Sequence, residues 1–229
     1  MKIVIFDVDG TLMDSSAYIV ERMRRTFARF DLPFPGRDAA LSIVGLSLKE
    51  AFAKLLGPAC PAAEMAAYYR TLSADLREDP AFRERLFPGV DAALRTLAAR
   101  EGMKIGVATG KSRRGVAEMI ERHGWRGLFS AIQTADDAPS KPHPAMLLQA
   151  IAEAGGEPDH SVMVGDSSYD IEMAGAAKVR SIAVDWGFQS IDRLMALGAT
   201  ASISHFDELP GMVDRLLTRE AQGFPSASA

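Results

Sequence analysis

The chain alternates short apolar runs, rich in β-branched residues, with longer segments in which apolar positions recur every three or four residues. The opening run, residues 3–6, is typical of a buried strand. Further strands are predicted for 104–108, 131–134, 161–164, 181–184 and 201–203, and helices for 90–99, 113–122, 145–153, 169–177, 191–197 and 206–218. Strands that alternate with such helices favour right-handed crossovers. The predicted fold class is therefore α/β, a doubly wound parallel sheet.

One segment, residues 15–86, breaks this alternation because it shows helical periodicity and no convincing strand. Its first predicted helix, capped by Ser15 or Ser16, places large apolar residues on one face: Tyr18, Ile19, Met23, Phe27 and Phe30. Further helices are predicted for 47–55 and 62–76. We expect a helical cap over 15–86, a core of residues 1–14 and 87–222, and a flexible tail over 223–229. Ligands of doubly wound sheets bind beyond the carboxyl ends of the strands, so we interpret the cap as a lid.

Composition narrows the class of protein without indicating its chemistry. The 229 residues are 48% hydrophobic and 24% charged, which is ordinary for a globular protein. The net charge of −4 and the scattered basic residues exclude an electrostatic nucleic-acid footprint. The lone Cys60 excludes an internal disulfide, and neither a signal peptide nor a membrane-spanning run is apparent. We expect a cytoplasmic protein without nucleic-acid or membrane partners; its oligomeric state is not predicted.

The first strand ends in two carboxylates, Asp7 and Asp9, followed by Gly10 and Thr11. Two acids this close repel each other unless a positive charge lies near them. Gly10 allows a tight turn, and Thr11 adds a hydroxyl group. Taken alone, the pattern is also typical of a surface turn, so its meaning depends on the residues at the ends of the later strands.

Polar groups also lie directly after the strand predicted for 104–108. Thr109, Gly110 and Ser112 supply a hydroxyl, a glycine amide and a helix start, which together predict a cradle for an oxyanion. A simple helix cap at Ser112 or Thr109 explains the same residues equally well.

Lys141 stands in a proline-rich loop, with Pro139 and Pro142 on either side of it. Prolines restrict the backbone and therefore fix where the lysine points. It is a candidate counter-charge to a phosphate or a carboxylate, although a single lysine is more often a solvated surface charge. His143 lies between two prolines, and we assign it no chemistry.

Asp166 comes after the strand predicted for 161–164, and Asp170 lies one helical turn further on the same side. Acids at a helix start can be simple caps. Burying them beside Asp7 and Asp9 would nevertheless be costly without a cation among them. Oxygen ligands of this kind suit Mg²⁺, which is the predicted cofactor.

In this order, the four strand ends resemble the motifs of the haloacid dehalogenase superfamily of hydrolases. The resemblance is carried by Asp7-Val8-Asp9-Gly10-Thr11, Thr109, Lys141, and Gly165-Asp166 with Asp170. The helical segment is similar to the type-one cap of that family. Within it, Ile43-Val44-Gly45-Leu46-Ser47-Leu48 and Thr109-Gly110-Lys111 resemble phosphoglycolate phosphatases and their relatives.

The resemblance implies a Rossmann-like core and specific roles for three aspartates. Asp7 would be the nucleophile that forms an aspartyl-phosphate, and Asp9 the general acid and base. Mg²⁺ would be held by the side chains of Asp7 and Asp166 and by the backbone carbonyl of Asp9.

The same resemblance assigns the remaining motif residues to the phosphoryl group. Thr109 and the Gly110 amide would hold its oxygens, and Lys141 would offset its charge and that of Asp7. Asp170 would orient Lys141 or the water shell of the metal. For the leaving group, Lys49, Arg113 and Arg114 are candidate contacts, although a solvated surface charge is the simpler interpretation of all three.

The resemblance favours a Mg²⁺-dependent phosphatase acting on a small phosphorylated metabolite such as a phosphoglycolate-like monoester. A dehalogenase of the same superfamily lacks the acids corresponding to Asp9 and Asp166, which argues against that activity. A phosphosugar mutase and a pyrophosphatase share the motifs and stay open. A phospho-receiver module carries its acceptor after a later strand and has no helical lid, and a non-catalytic protein would not need every motif intact.

Overall fold

The computed structural model describes residues 1–73, 76 and 79–218. The strands are β1 Lys2–Phe6, β2 Met13–Asp14, β3 Arg85–Leu86, β4 Met103–Thr109, β5 Ala131–Thr134, β6 Ser161–Gly165, β7 Arg180–Val184 and β8 Ala201–Ile203. The helices are α1 Ser16–Arg29, α2 Arg37–Ser42, α3 Leu48–Leu56, α4 Ala62–Thr71, α5 Val90–Ala98, α6 Arg113–His123, α7 Ala145–Glu153, α8 Ser168–Ala176, α9 Ile191–Ala196 and α10 Leu209–Thr218.

Six of these strands form a parallel sheet in the order β5-β4-β1-β6-β7-β8. The central strand β1 pairs with β4 on one side and with β6 on the other; Val4 is in register with Ile105 and Val162. The predicted doubly wound α/β class is confirmed. Each of the five later strands predicted from the sequence is present to within one residue at either end.

Both faces of the sheet are buried, which explains the continuous apolar run of β1. Val4 and Phe6 pack with α5, α6 and α10 on one face. Ile3 and Ile5 pack with α7 and α8 on the other, and all four side chains are fully buried. A strand covered on both faces has no polar side to alternate with, so its first polar residue, Asp7, marks the edge of the sheet.

The segment predicted as a cap forms α1–α4, which share a hydrophobic cluster around Phe27 and Phe52 that also includes Tyr169 of α8. Helix α2 was not predicted. The expectation of no strand within residues 15–86 is wrong at one point: β3 pairs antiparallel with β2, Met13 opposite Leu86. This two-residue ladder joins the segment's two connections to the sheet and is too short to show a sequence period.

Several helix boundaries differ in detail from those predicted. Helix α1 begins after Ser15, but the cap bond comes from Asp14, whose Oδ1 accepts from the Ser16 N–H at 3.1 Å. The helix predicted for 62–76 ends at Thr71, and the last predicted helix divides into a 3₁₀ turn, Phe206–Glu208, and α10. The tail predicted for 223–229 lies outside the described residues. Within the described part of the chain, no helix combines the length and the apolar character needed to cross a membrane.

Candidate active site

The candidate site lies where the chain reverses its direction across the sheet. From β1 the order runs to β4 and β5 on one side and to β6, β7 and β8 on the other. The carboxyl ends of β1 and β6 therefore flank a crevice, the usual ligand position in such sheets. Asp7 comes directly after β1 and Asp166 directly after β6; the Asp7 N–H donates to the Val164 carbonyl at 2.9 Å, which ties the two strand ends together.

Three buried carboxylates meet at this crevice. Oxygen atoms of Asp7, Asp166 and Asp170 all lie within 4.8 Å of one another. The ammonium of Lys141, itself fully buried, lies 2.9 Å from Asp7 Oδ1 and 2.6 Å from Asp170 Oδ1. Lys141 thus contacts two of the three acids, and the cluster carries excess negative charge when all three are ionised.

This excess charge is visible in the protonation equilibria. Burial raises the pKa of Asp7 to about 6, with Asp170 adding to the shift and Lys141 opposing it. Burial and then the charges of Asp170 and Asp7 hold the pKa of Asp166 well above its usual value. Burial would lower the pKa of Lys141, but Asp170 and Asp7 outweigh it and raise that pKa. The site as a whole therefore favours an additional cation.

The positions of Asp166 and Asp170 are fixed by short polar contacts. Thr11 Oγ1 donates to Asp166 Oδ1 at 2.8 Å, and the Phe188 N–H donates to Oδ2 at 2.9 Å. Asp170 Oδ2 accepts from the N–H and the hydroxyl of Ser167 at 3.1 and 2.7 Å, within the capping box that begins α8. Asp170 is therefore both a helix cap and the anchor of Lys141.

The donor set fits a hard divalent cation. Asp7 and Asp166 provide carboxylate oxygens, and among the described residues no hydrogen bond ends on the Asp9 carbonyl. Gly10 has φ +89°, and a Cβ at this position would overlap the Asp166 carboxylate, so only glycine lets the β1 loop approach Asp166 so closely. These oxygens could hold Mg²⁺, whereas Asp170 is already occupied by Lys141 and Ser167.

Asp9 lies beside a lysine, Lys111, for which no role is predicted from the sequence. Lys111 Nζ lies 2.8 Å from Asp9 Oδ1 and 2.7 Å from Oε1 of Glu84, which stands just before β3. Burial would lower the pKa of Lys111, but the charges of Asp9 and Glu84 raise it. Lys111 comes directly after the predicted Thr109-Gly110 cradle, so its place near the site had a sequence signal. Glu84 had none.

The residues of the predicted oxyanion cradle line the cavity, and the alternative helix cap is present at Ser112. Thr109 and Gly110 line the cavity above Asp7, while Thr109 Oγ1 accepts from the Lys111 N–H at 3.2 Å. Ser112 Oγ accepts from the Gly115 N–H at 3.2 Å and caps α6. A Cβ on Gly110 would lie only 2.6 Å from the Gly45 carbonyl, so the loop between α2 and α3 closes directly over the cradle.

The crevice opens into a cavity of about 350 Å³ between the sheet edge and the helical segment. Its floor includes Asp7, Asp9 and Thr109. The opposite wall, its roof, includes Tyr18, Arg22 and other residues of the helical segment. The two walls are joined by a hydrogen bond from the Ser47 N–H to Ser140 Oγ at 2.8 Å. The loop between α2 and α3 and the first residue of α3 thus reach the site through Gly45, Leu46 and Leu48.

Of the three predicted leaving-group contacts, Arg114 lines this cavity, whereas Lys49 and Arg113 do not. Lys49 is exposed and does not line the cavity. Arg113 is also exposed, and its Nη2 lies 2.7 Å from Asp137 Oδ1, away from the lining. The sequence placed both near the right loops, but it could not give the direction in which their side chains leave the helices. His143, to which no chemistry was assigned, is exposed.

Comparison with known proteins gives a consistent picture. The model of the haloacid dehalogenase-like hydrolase family matches residues 4–184. The chain is 33% identical to a probable phosphatase, IndB, of Dickeya dadantii over 94% of both chains. It is 31% identical to a phosphoglycolate phosphatase of Agrobacterium fabrum, covering 96% of this chain and 95% of the relative.

A third relative, the pyrophosphatase PpaX of Oceanobacillus iheyensis, is 31% identical over 85% of this chain and 88% of its own length. Among solved structures, a predicted phosphatase from Clostridium acetobutylicum superposes with a TM-score of 0.81 at 27% identity, covering 94% of this chain and 99% of that one. These matches span the sheet, the helical segment and every strand end that carries the site. The chain belongs to the haloacid dehalogenase-like hydrolases.

Proposed function

We propose that this hydrolase removes the phosphoryl group from a small phosphorylated metabolite, with Asp7 as the nucleophile and Mg²⁺ as the cofactor. The broader statement, that the chain is a phosphoric monoester hydrolase, follows from its family and from relatives named as phosphatases. The finer proposal is supported mainly by one observation: three buried carboxylates lie within 4.8 Å of one another, and the ammonium of Lys141 contacts two of them. Such a cluster needs a cation, and a bound Mg²⁺ supplies charge that neutralises both the acids and the phosphoryl oxygens.

In the first step, a carboxylate oxygen of Asp7 attacks phosphorus and the bond from phosphorus to the leaving oxygen breaks. This forms an aspartyl-phosphate on Asp7 and releases an alcohol. Asp9, two residues along the same loop, donates the proton that the leaving oxygen needs. Lys141 offsets the negative charge of Asp7, and Thr109 and the Gly110 amide, which line the cavity, hold the phosphoryl oxygens.

In the second step, Asp9 accepts a proton from a water molecule that attacks the phosphorus of the intermediate. The bond between phosphorus and the Asp7 oxygen breaks, which releases inorganic phosphate and restores the carboxylate. The contact of Asp9 with Lys111 at 2.8 Å holds its side chain over this site. Both chemical steps thus use the same two aspartates, as general acid–base catalysis at a covalent intermediate requires.

The helical segment, residues 15–86, is proposed to act as a lid over residues 1–14 and 87–222. Its contacts with the rest of the chain include the hydrogen bond of Ser47 with Ser140, the close approach of Gly45 to Gly110, and the packing of Tyr169 in its hydrophobic cluster. Two chain connections, paired through β2 and β3, join it to the sheet. A lid with these connections can exclude bulk water during the first step and open to release product.

A pyrophosphatase is a second candidate, since one relative carries that name. Its chemistry would be the same, with phosphate instead of an alcohol as the leaving group. A phosphosugar mutase would also pass through the same intermediate and differ only in which acceptor takes the phosphoryl group. We propose that the protein is cytoplasmic and that it has neither a nucleic-acid nor a membrane partner.

The direct test is hydrolysis of p-nitrophenyl phosphate by the purified protein, with Mg²⁺ or with a chelator. We expect turnover only with the metal, and none in Asp7→Asn. For a substrate with a poor leaving group, we expect Asp9→Asn to lose at least about 100-fold in kcat, the scale of general acid–base assistance. Turnover without a metal, or undiminished turnover in Asp7→Asn, would overturn the proposal. A panel of phosphoglycolate, pyrophosphate and sugar phosphates then ranks the substrates by kcat/KM.

A further inference from the structure

Arg22 is a partly buried cation in the roof of the cavity, and no carboxylate of the described residues offsets its charge. It lines the cavity together with Ile19 and Met23 of the same helix. Among the described residues, no carboxylate lies within ion-pair distance of its guanidinium. The other cations in the lining differ: Lys111 is shared by Asp9 and Glu84, Arg114 pairs with Glu118 at 3.0 Å, and Arg70 is exposed.

Among the described residues, the groups that hold the guanidinium of Arg22 carry no negative charge. Its Nε and Nη2 donate to the Tyr69 carbonyl at 3.2 and 2.7 Å. Its central carbon lies 3.8 Å from the ring centroid of Tyr69 and 4.8 Å from that of Tyr18. Stacking and carbonyl bonds fix the orientation of an arginine while leaving its full charge available.

The edge of this guanidinium that remains is suited to a bidentate anion. Nε and one Nη2 proton are used by the Tyr69 carbonyl, whereas no hydrogen bond of the described residues uses Nη1. Nη1 and the second Nη2 proton form the fork that matches a carboxylate or a phosphate. Much of the nearby lining is apolar, from Ile43, Leu46 and Leu48, so a charged contact there is poorly screened.

We propose that Arg22 binds a second anionic group of the substrate, on the leaving-group side. The substrate class is therefore a small phosphate ester or anhydride that carries a carboxylate or a second phosphate. This inference rests on the proposed function, because it takes the phosphoryl group to lie at Asp7. Burial raises the pKa of the Tyr69 phenol, the charge of Arg22 lowers this pKa, and the charge of Asp9 raises it. The Tyr69 hydroxyl therefore lies within electrostatic range of both Arg22 and Asp9. The cavity volume of about 350 Å³ limits the substrate to a small molecule.

The test compares 2-phosphoglycolate with 2-hydroxyethyl phosphate, which has a hydroxymethyl group in place of the carboxylate. We expect the wild-type protein to prefer the anionic substrate in kcat/KM. In Arg22→Met this preference should fall by about 10- to 100-fold, the scale of charge-assisted hydrogen bonds. Arg22→Lys keeps the charge but lacks the two parallel N–H donors of arginine. Its preference for the anionic substrate should lie between that of the wild-type protein and that of Arg22→Met. A parallel comparison of pyrophosphate with methyl phosphate identifies whether the second anion is a phosphate instead.

Arg25→Met is the matched control, because Arg25 lies on the same helix, pairs with Glu21 at 2.7 Å and does not line the cavity. It should leave the preference unchanged. An equal loss for charged and uncharged substrates in Arg22→Met would mean a purely structural role and overturn the inference. So would an unchanged preference, or the absence of a preference in the wild-type protein.

Binding in the Asp7→Asn background separates this inference from the proposed function. There, calorimetry with Mg²⁺ measures the Kd of 2-phosphoglycolate and of 2-hydroxyethyl phosphate without turnover. We expect the added substitution Arg22→Met to weaken only the first by at least about tenfold. If that holds while the wild-type protein hydrolyses neither compound, the proposed function fails and the anion site stands. If Arg22→Met does not alter the ratio of Kd values although both compounds are hydrolysed, the anion site fails alone.

Discussion

The floor and the roof of the cavity are constructed in different ways. On the floor, Asp7, Asp166 and Asp170 are buried and held by short contacts to Lys141, Thr11, Ser167 and the Phe188 backbone. In the roof, Arg22 is held by one backbone carbonyl and two aromatic rings from helices. The floor therefore fixes the chemistry within a rigid frame, whereas the roof can vary in its side chains without disturbing it. We infer that reaction type is set on the floor and substrate choice in the roof.

The largest expected effect is on the floor. Asp7→Asn should lower kcat by at least about 10⁴-fold for every phosphorylated substrate, because no other group can take the phosphoryl. Stopped assays with sensitive phosphate detection measure this loss, and Asp192→Asn, a change at an exposed position, is the control. A loss that differs strongly between substrates would mean that Asp7 contributes to substrate specificity. It would contradict the assignment of reaction type to the floor and substrate choice to the roof.

Asp166→Asn tests the excess charge of the floor. We expect kcat to fall by more than about 100-fold at fixed Mg²⁺, since even the outer partners of metal ligands are worth 10- to 100-fold in affinity. The metal-free variant should melt at a higher temperature than the metal-free wild type, because one of the buried acids is removed, and Mg²⁺ should stabilise it far less.

The same charge gives a signed dependence on pH. The pKa of Asp7 is raised to about 6, so the folded protein holds this proton more tightly than the unfolded chain. Through Asp7, the metal-free protein therefore loses stability as the pH rises from the unfolded pKa of about 4 towards 6. The gain in Tm from Mg²⁺ should accordingly be larger at about pH 7.5 than at about pH 5. An equal gain at both values in differential scanning calorimetry would contradict the charge argument.

A smaller effect is expected where floor and roof meet. Lys111→Met should reduce kcat by about tenfold, because Asp9 loses the ammonium that holds it and Glu84 is left as a buried acid without that partner. The double variant with Glu84→Gln should be less impaired than the sum of the single changes predicts. Additive effects in this double-mutant cycle would mean that Glu84 does not act through Lys111.

The smallest effects are expected at the surface charges suggested by the sequence. Lys49→Ala and Arg113→Ala should each keep kcat/KM within about threefold, since neither side chain lines the cavity and surface ion pairs are worth little. The substrate panel used for Arg22→Met measures both. A substrate-specific loss at Lys49 would move the specificity contact from Arg22 to the start of α3.

The sequence predicted the floor well and the roof poorly for a physical reason. Parallel strands end at one edge of a sheet, so Asp7, Thr109 and Asp166 must be neighbours once the strands are identified. No such rule connects Arg22 with Tyr69, which lie on separate helices and meet only through packing. Glu84 contacts Lys111 from the segment just before β3, where no sequence pattern predicts it. Phe188 binds Asp166 through its backbone N–H, a contact that does not depend on the type of side chain. Helix α2 and the short ladder of β2 with β3 were missed because both are too short to show a period.

The central claim is that Asp7 takes the phosphoryl group, and trapping that intermediate tests it most directly. p-Nitrophenolate leaves without needing a proton, so Asp9→Asn should complete the first step and stall at the second. Mass spectrometry of this variant, quenched in acid after incubation with p-nitrophenyl phosphate and Mg²⁺, should find one added phosphoryl group, located on Asp7. The adduct should be absent without the metal and in the double variant with Asp7→Asn. Steady turnover with no adduct, or a phosphoryl group on another residue, would contradict the account.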